Sequence, residues 1–176
     1  MVVITVTDSR TSPTSVHFAK MLVASLNHRS IESFLLVPKT SDAVVNHNTS
    51  DTLNSDFMKE LHKAGSKSDF HIDVRTFDPT SAGKLESLDF VVTEIPGVSD
   101  KGVNMSVLGY LDNFSEVEVI TMNPEVTFCS NYCGLVLSLP TVTLLISEAS
   151  SGLYRAAADE LAEVVEQVAP RRMPVD

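Results

Sequence analysis

The sequence has little of what several specialised classes of protein need. It contains two cysteines and no tryptophan, so a framework of disulfides is not expected. Asp and Glu number 23 against 13 Lys and Arg, which argues against a basic nucleic-acid surface. No apolar run approaches the ~20 residues that a membrane span requires, and the N-terminus lacks the basic flank and cleavage pattern of a secretory signal. We therefore expect a cytoplasmic protein that binds neither nucleic acid nor membrane.

What the chain does have is the composition and patterning of a globular α/β protein. Of its 176 residues, 43% are hydrophobic and 20% are charged, which predicts one domain over residues 1–176 with a single large core. Apolar, β-branched runs alternate with amphipathic stretches. This alternation predicts a three-layer α/β/α sandwich with a mostly parallel, Rossmann-like central sheet.

Individual elements follow from the periodicity of the apolar residues. Helices are predicted around residues 18–26, 53–61, 106–114 and 153–168. Strands are predicted around residues 2–6, 33–37, 71–77, 88–93, 117–120, 135–137 and 141–146. The segment 71–77 alternates only weakly, which favours an edge strand. Cys129 and Cys133 are four residues apart with no histidine nearby, so structural or unligated thiols are favoured over a metal site.

The turn after the first strand is rich in hydroxyl groups. Residues 7–15 contain six Thr and Ser residues, and Ser12-Pro13 fits a helix N-cap followed by proline at the first helical position. A helix N-terminus offers unpaired N–H groups and a partial positive charge, both of which suit a phosphate. A capped helix without a ligand would explain the same residues.

Two further polar turns follow predicted strands, at residues 94–102 and 147–152. In open parallel sheets, ligands bind beyond the carboxyl ends of the strands. We therefore expect these two turns and the turn at residues 8–15 to converge on one site.

Together the three turns resemble the molybdopterin-binding family that includes MoaB, MogA and the molybdopterin domains of gephyrin. The family's S-D-T-R-T turn and D-T-S-G helix start lie against residues 7–11 and 14–16. Its T-x-G-G-T-G-x-x-x-R-D-x-T loop lies against residues 93–104, and its L-P-G-S-P turn lies against residues 147–151, with Arg155 downstream. The resemblance spans most of the chain and makes residues 40–85 an insertion. It implies a homo-oligomer, a trimer or hexamer, that binds a phosphorylated pterin in molybdenum cofactor biosynthesis.

The resemblance also implies which side chains hold the ligand. Arg10 would bind a phosphate through its planar, rigid set of N–H donors. The alternative role for Arg10 is a surface ion pair with Asp8 that stabilises the turn. Ser150 and Arg155 would form a second anion contact, or serve only as a cap and a solvated helix residue. The predicted ligand-binding residues are Thr7, Asp8, Ser9, Arg10, Thr11, Ser15, Thr93, Gly97, Lys101 and Ser150.

The catalytic positions of the family are less well matched. Members use acidic residues for Mg²⁺ and ATP, and at the aligned positions this chain has Lys39, Thr40 and Gly102. Asp42 and Asp100 lie nearby and are the candidate catalytic residues. The expected function is therefore molybdopterin binding by a protein that resembles a molybdopterin adenylyltransferase with degraded catalytic loops. The alternatives are a non-catalytic family member acting as a scaffold or oligomeric binding protein, and a flavodoxin-like FMN-dependent reductase.

Overall fold

A single sheet forms the centre of the computed structural model, which describes residues 1–7, 12–37, 56–80, 85–121 and 132–168. Within them the strands are β1 (Val2–Val6), β2 (Ser33–Leu36), β3 (Phe70–Phe77), β4 (Phe90–Glu94), β5 (Val117–Thr121) and β6 (Thr141–Ser147). Their order across the sheet is β2-β1-β3-β6-β4-β5. Neighbouring strands are parallel except for β4 and β6, which are antiparallel. The predicted mostly parallel sheet is confirmed.

Helices cover both faces of the sheet. They are α1 (Pro13–His28), α2 (Asp56–Gly65), α3 (Lys101–Leu111), α4 (Tyr132–Leu137) and α5 (Tyr154–Val168), with a short 3₁₀ turn at Ser151–Leu153. The core on one face takes side chains from α1, α3 and α5, and the core on the other takes them from α2 and α4. We call these the α1 face and the α2 face. The three layers confirm the predicted α/β/α class.

The larger core lies on the α1 face. Val2, Ile4 and Val6 reach it from β1 because side chains alternate between the two faces of a strand. Phe18 of α1 packs edge-on against the ring of Tyr154 of α5, with ring centroids 5.6 Å apart and planes at 85°. This aromatic pair joins the two longest described helices over the sheet.

The start of α1 matches its sequence signal. The Ser12 side chain accepts a hydrogen bond from the Thr14 backbone N–H at 3.2 Å, and Pro13 occupies the first turn. Ser15 is fully buried, and its hydroxyl donates to the Ser12 carbonyl oxygen at 3.0 Å. The N-cap prediction is confirmed, because both signals act within one turn of the helix.

Two element predictions are wrong. Strand β3 lies in the middle of the sheet between β1 and β6, and is not an edge strand. The segment 40–85, which resemblance makes an insertion, thus supplies a central strand. Residues 135–137 belong to α4, not to a strand. A short apolar run does not distinguish a strand from a buried helical turn.

The reversed direction of β4 and β5 decides where the loops lie. Strands β1, β2, β3 and β6 finish at one end of the sheet, which we call the carboxyl end. Strands β4 and β5 finish at the opposite end, since β4 pairs with β6 in antiparallel register.

Among the described helices, none has both the length and the hydropathy to cross a membrane.

Candidate functional site

Buried polar side chains occupy the middle of the sheet on its α2 face. Strand pairing places Thr5, Asp73, Thr143 and Thr93 side by side on β1, β3, β6 and β4, and each is at most 1% exposed. Four neighbouring positions, which share this face because residues two apart on a strand point to the same side, are polar as well. We call this set the buried polar cluster, and its members are Thr5, Thr7, His71, Asp73, Arg75, Thr93, Thr141 and Thr143.

Asp73 is the centre of the cluster. Its Oδ1 accepts hydrogen bonds from the hydroxyls of Thr5 and Thr7 at 2.7 and 2.6 Å. Its Oδ2 accepts from Nε of Arg75 at 2.9 Å. The side chains of Asp73 and Arg75 are 0% and 10% exposed, so both charges are largely removed from water. Such burial is tolerated only with good geometry and added hydrogen bonds, which the two threonines supply.

His71 extends the network toward the opposite end of the sheet. Its Nε2 lies 2.9 Å from Oγ1 of Thr5, and its Nδ1 lies 3.2 Å from Oγ1 of Thr141. Complete burial lowers the pKa of His71 to about 4, and the Arg75 charge adds to that effect while Asp73 opposes it. The imidazole is therefore neutral at physiological pH.

The lowered pKa of His71 predicts a specific loss of stability in mild acid. Above its ordinary pKa of 6.5 the imidazole is neutral in the folded and unfolded chains, and it adds no pH dependence. Between pH 6.5 and about 4 only the unfolded chain binds the proton, so stability falls with pH, and below about 4 the loss is complete.

Urea unfolding at about pH 7.5 and at about pH 5.5 measures this effect. Protonation of His71 in the unfolded chain is expected to lower the folding equilibrium constant about tenfold at the lower pH, in addition to the change that other groups cause. Glutamine has no titratable group, so His71→Gln removes that extra decrease and leaves the contribution of the carboxylates. An equal pH response in the two proteins would contradict a buried neutral His71.

The buried polar cluster reaches the carboxyl end of the sheet between β1 and β3, where the chain leaves the two neighbouring strands toward opposite sides of the sheet. After β1 the chain passes through α1 to β2 on one side, and after β3 it leads to β4 on the other. Thr7 follows β1, and Arg75 lies near the end of β3. The crevice between two such strands is where open α/β sheets bind ligands. The N-terminus of α1, whose first turn has no acidic residue, follows directly after β1.

Cys133 lies among the apolar residues that cover the α2 face. It is 0% exposed and packs with Phe57, Met58 and Leu61 of α2. Burial raises its pKa above the ordinary value, so the thiol stays protonated and unreactive. This agrees with the structural role predicted for it, while Cys129 lies outside the described residues.

The predicted ligand-binding residues do not form one site. Thr7, Ser15 and Ser150 lie toward the carboxyl end of the sheet, whereas Gly97 and Lys101 follow β4 at the opposite end. The expected convergence of the three turns is wrong, because β4 runs antiparallel to β6. Thr93 belongs to the buried polar cluster, where its hydroxyl donates to the Thr143 carbonyl oxygen at 3.3 Å. The positions outside the described residues are Asp8, Ser9, Arg10, Thr11 and Asp42.

At the opposite end, the turn after β4 is occupied by contacts within the chain. Lys101 is 82% exposed, and its Nζ lies 3.2 Å from Oε1 of Glu94. Asp100 caps α3 by accepting the Val103 N–H at 3.0 Å, and Gly97 has φ +78°, a conformation that favours glycine. A cavity of about 350 Å³ lies here, lined by Gly97, Val98, Ser99, Asp100, Gly134, Ser138, Leu139 and Pro140.

Ser150 and Arg155, which were predicted to form a second anion contact, each bind another side chain of the protein. The Ser150 hydroxyl donates to Oδ1 of Asp89 at the start of β4. Arg155 pairs with Asp159 one turn along α5 at 3.4 Å, with both side chains half-exposed or more. Arg155 matches the alternative interpretation of a solvated helix residue, whereas the Ser150 side chain makes no cap hydrogen bond and contacts Asp89 instead.

Carboxylates of the described residues do not fit a Mg²⁺ site. Both oxygens of Asp73 accept hydrogen bonds and its charge faces Arg75, and Asp100 is an N-cap at the other end of the sheet. Mg²⁺ in nucleotide sites is held by carboxylates placed beside the phosphates. In the part of the chain that the structure describes, no group of three or more His, Cys, Asp or Glu side chains could hold a metal ion.

Sequence reasoning missed the centre of the cluster, although its signal is present. His71, Asp73 and Arg75 occupy every second position of a strand whose other residues, apart from Thr76, are apolar. The weak alternation of this segment indicates an edge strand, and on an edge strand such side chains could reach water. Only the position of β3 between β1 and β6 buries them.

Comparison with known proteins supports the fold alone. No protein-family description matches the chain, and no curated protein sequence matches it. The structure is similar to the crystal structure of gene product Atu2144 from Agrobacterium tumefaciens, with a TM-score of 0.63 at 13% identity, covering 94% of this chain and 89% of that one. The chain therefore shares a three-layer α/β/α fold with that protein.

Proposed function

We propose that this protein binds a small anionic ligand in the crevice at the carboxyl ends of β1 and β3. The phosphate of a pterin such as molybdopterin is the specific candidate, on the resemblance of the turn at residues 7–16 to the molybdopterin-binding family. The observation that carries the proposal is the buried Asp73–Arg75 pair, joined to the hydroxyls of Thr5 and Thr7 at this crevice.

A purely structural role does not explain well why two charges are buried here. Replacing such a pair with apolar residues of similar volume is often neutral or stabilising, so folding does not require these charges at the centre of the sheet. Buried charges with specific partners cluster at functional sites. Arg75 lies near the end of β3, at the same end of the sheet as Thr7 after β1, and its positive charge suits an incoming anion.

The charge of the whole chain strengthens the case for a local cation. A net charge of −10 repels anions at long range, so an anionic ligand must be held by a few placed groups. Arg75 supplies a buried positive charge, and Asp73 holds its Nε edge in one orientation. The planar guanidinium group is suited to the recognition of a phosphate or carboxylate.

Isothermal titration calorimetry with inorganic phosphate, molybdopterin, Mg·ATP and FMN tests the proposal. We expect molybdopterin and phosphate to bind, and Arg75→Lys to weaken both by about tenfold because the planar fork is lost. Thr7→Val removes one hydroxyl with little change of shape and is expected to weaken binding in the same direction. Lys101→Gln, at the opposite end of the sheet, is the matched control and leaves the affinity unchanged.

The four ligands separate the remaining hypotheses. Pterin binding without ATP supports a non-catalytic protein, whereas binding of both supports an adenylyltransferase. FMN binding alone supports the flavodoxin-like alternative. Binding of none of the four, or an equal loss in Lys101→Gln and Arg75→Lys, would overturn the proposed site. The homo-oligomer implied by the resemblance is measured on the same samples by light scattering.

A further inference from the structure

The hydrogen-bond partners of Thr5 determine which nitrogen of His71 carries a proton. The hydroxyl of Thr5 has one proton, and the Asp73 carboxylate, which only accepts, takes it at 2.7 Å. The oxygen of Thr5 can then only accept from Nε2 of His71, 2.9 Å away. A second threonine, Thr7, donates to the same carboxylate oxygen. A donor at Nε2 therefore leaves the Thr5 hydroxyl to donate to Asp73, as the Thr7 hydroxyl does.

We propose that His71 is a positioning residue of the anion site, held as the neutral Nε2–H tautomer so that Thr5 is compelled to donate to Asp73. Its effect on the ligand is indirect, through Thr5 and Asp73 to the guanidinium of Arg75, and this part rests on the proposed function. With Nε2–H and a neutral ring, Nδ1 is an acceptor. Thr141, whose oxygen lies 3.2 Å from Nδ1 and 2.9 Å from the Leu139 carbonyl oxygen, can donate its one proton to either acceptor.

Thr141 makes this arrangement sensitive to protonation. Its single proton has two acceptors within reach, Nδ1 of His71 at 3.2 Å and the Leu139 carbonyl oxygen at 2.9 Å. A protonated His71 would donate from both nitrogens, and the Thr141 hydroxyl would then turn wholly to Leu139. All contacts would be satisfied, but the cluster would hold a second buried positive charge beside Arg75, which burial opposes.

The described surroundings of His71 favour the neutral ring. Strands β1 and β6 contribute only Thr5 and Thr141 as polar contacts to it. Its own strand contributes the opposed charges of Asp73 and Arg75. Helix α4 places Cys133 within electrostatic reach of Asp73 and Arg75, and burial keeps its thiol protonated. The Asp73–Arg75 pair is balanced without a charge on His71.

Nuclear magnetic resonance of the uniformly ¹⁵N-labelled protein tests the tautomer directly. Long-range correlation spectra distinguish a protonated Nε2 from a protonated Nδ1, and the spectrum of His71→Gln assigns the signal among the five histidines. We expect a protonated Nε2, an unprotonated Nδ1 and no titration of His71 between about pH 5 and about pH 8. A protonated Nδ1, or titration near the ordinary pKa of histidine, would overturn the inference.

A pair of variants tests the positioning role. Glutamine can donate from its amide toward Thr5 and accept from Thr141, whereas leucine can do neither. We expect His71→Gln to retain the phosphate affinity within about threefold and His71→Leu to lose about tenfold, as for a lost hydrogen bond to a charged network. Equal affinities for phosphate in the two variants would overturn the positioning role.

The two readouts distinguish failure of this inference from failure of the proposed function. The tautomer is measured on the unliganded wild-type protein, so it decides the direction of the hydrogen bonds whether or not phosphate binds. If phosphate does not bind the wild type, the anion site is wrong, and with it the positioning role. If phosphate binds and Nδ1 is protonated, the site stands and the role of His71 is wrong.

Discussion

Replacing Asp73 with leucine is expected to lower the free energy of unfolding by about 3–5 kcal/mol. The substitution removes the carboxylate to which Nε of Arg75 donates, and it leaves a guanidinium charge in a largely water-free site. Breaking a buried ion pair from one side costs this much because the remaining charge stays buried and loses its ion-pair partner. The hydroxyls of Thr5 and Thr7 lose their common acceptor in the same step, which adds to the cost. Equilibrium unfolding in urea near neutral pH measures the loss.

The double variant Asp73→Leu with Arg75→Met shows how much of the loss comes from removing only one charge of the pair. Removing both charges together is expected to recover most of the stability, since apolar residues of similar volume replace the pair at little net cost. The exposed pair of Asp56 and Lys59, 80% and 69% exposed, is the control, and Asp56→Ala should cost about 0–1 kcal/mol. A double variant as unstable as Asp73→Leu alone would contradict this interpretation. Loss of phosphate binding in a stable double variant would separate the functional role of the pair from its structural one.

Replacing Phe18 with alanine is expected to destabilise the protein by about 3–5 kcal/mol, as for other fully buried aromatic residues. Phe18 is 0% exposed and packs edge-on against Tyr154, at the contact of α1 with α5. The hydroxyl of Tyr154 donates to the Ser147 carbonyl oxygen, so its ring is anchored and cannot move freely into the space left by Phe18. A cavity that does not collapse gives a loss near the upper end of the range.

Phe34→Ala is the matched control for that substitution. Phe34 lies on the outermost strand β2 and is 36% exposed, so its removal should cost about 1 kcal/mol or less. Thermal or urea unfolding of both variants measures the difference. A loss below about 1 kcal/mol for Phe18→Ala would contradict the placement of this residue at the centre of the core on the α1 face.

Local signals predicted most of the elements and the class of the fold. The N-cap of α1 was predictable because Ser12 and Pro13 act within one helical turn. The strands β1, β2, β5 and β6 and the long C-terminal helix were predictable because their apolar periodicity is strong. The site at the carboxyl end of β1 was predictable in part, since Thr7 belongs to the buried polar cluster, while residues 8–11 lie outside the described part of the chain.

The sequence by itself determined an α/β sandwich, a capped helix after the first strand and an acidic chain that needs a local cation for any anionic ligand. These follow from composition, periodicity and contacts within a few residues. Only the tertiary structure decided that β4 runs antiparallel to β6, which separates the turns that were expected to converge. It also decided that β3 is central, which turns His71, Asp73 and Arg75 from surface residues into a buried network. Strand direction and position depend on pairings between residues distant in sequence, and no local pattern encodes them.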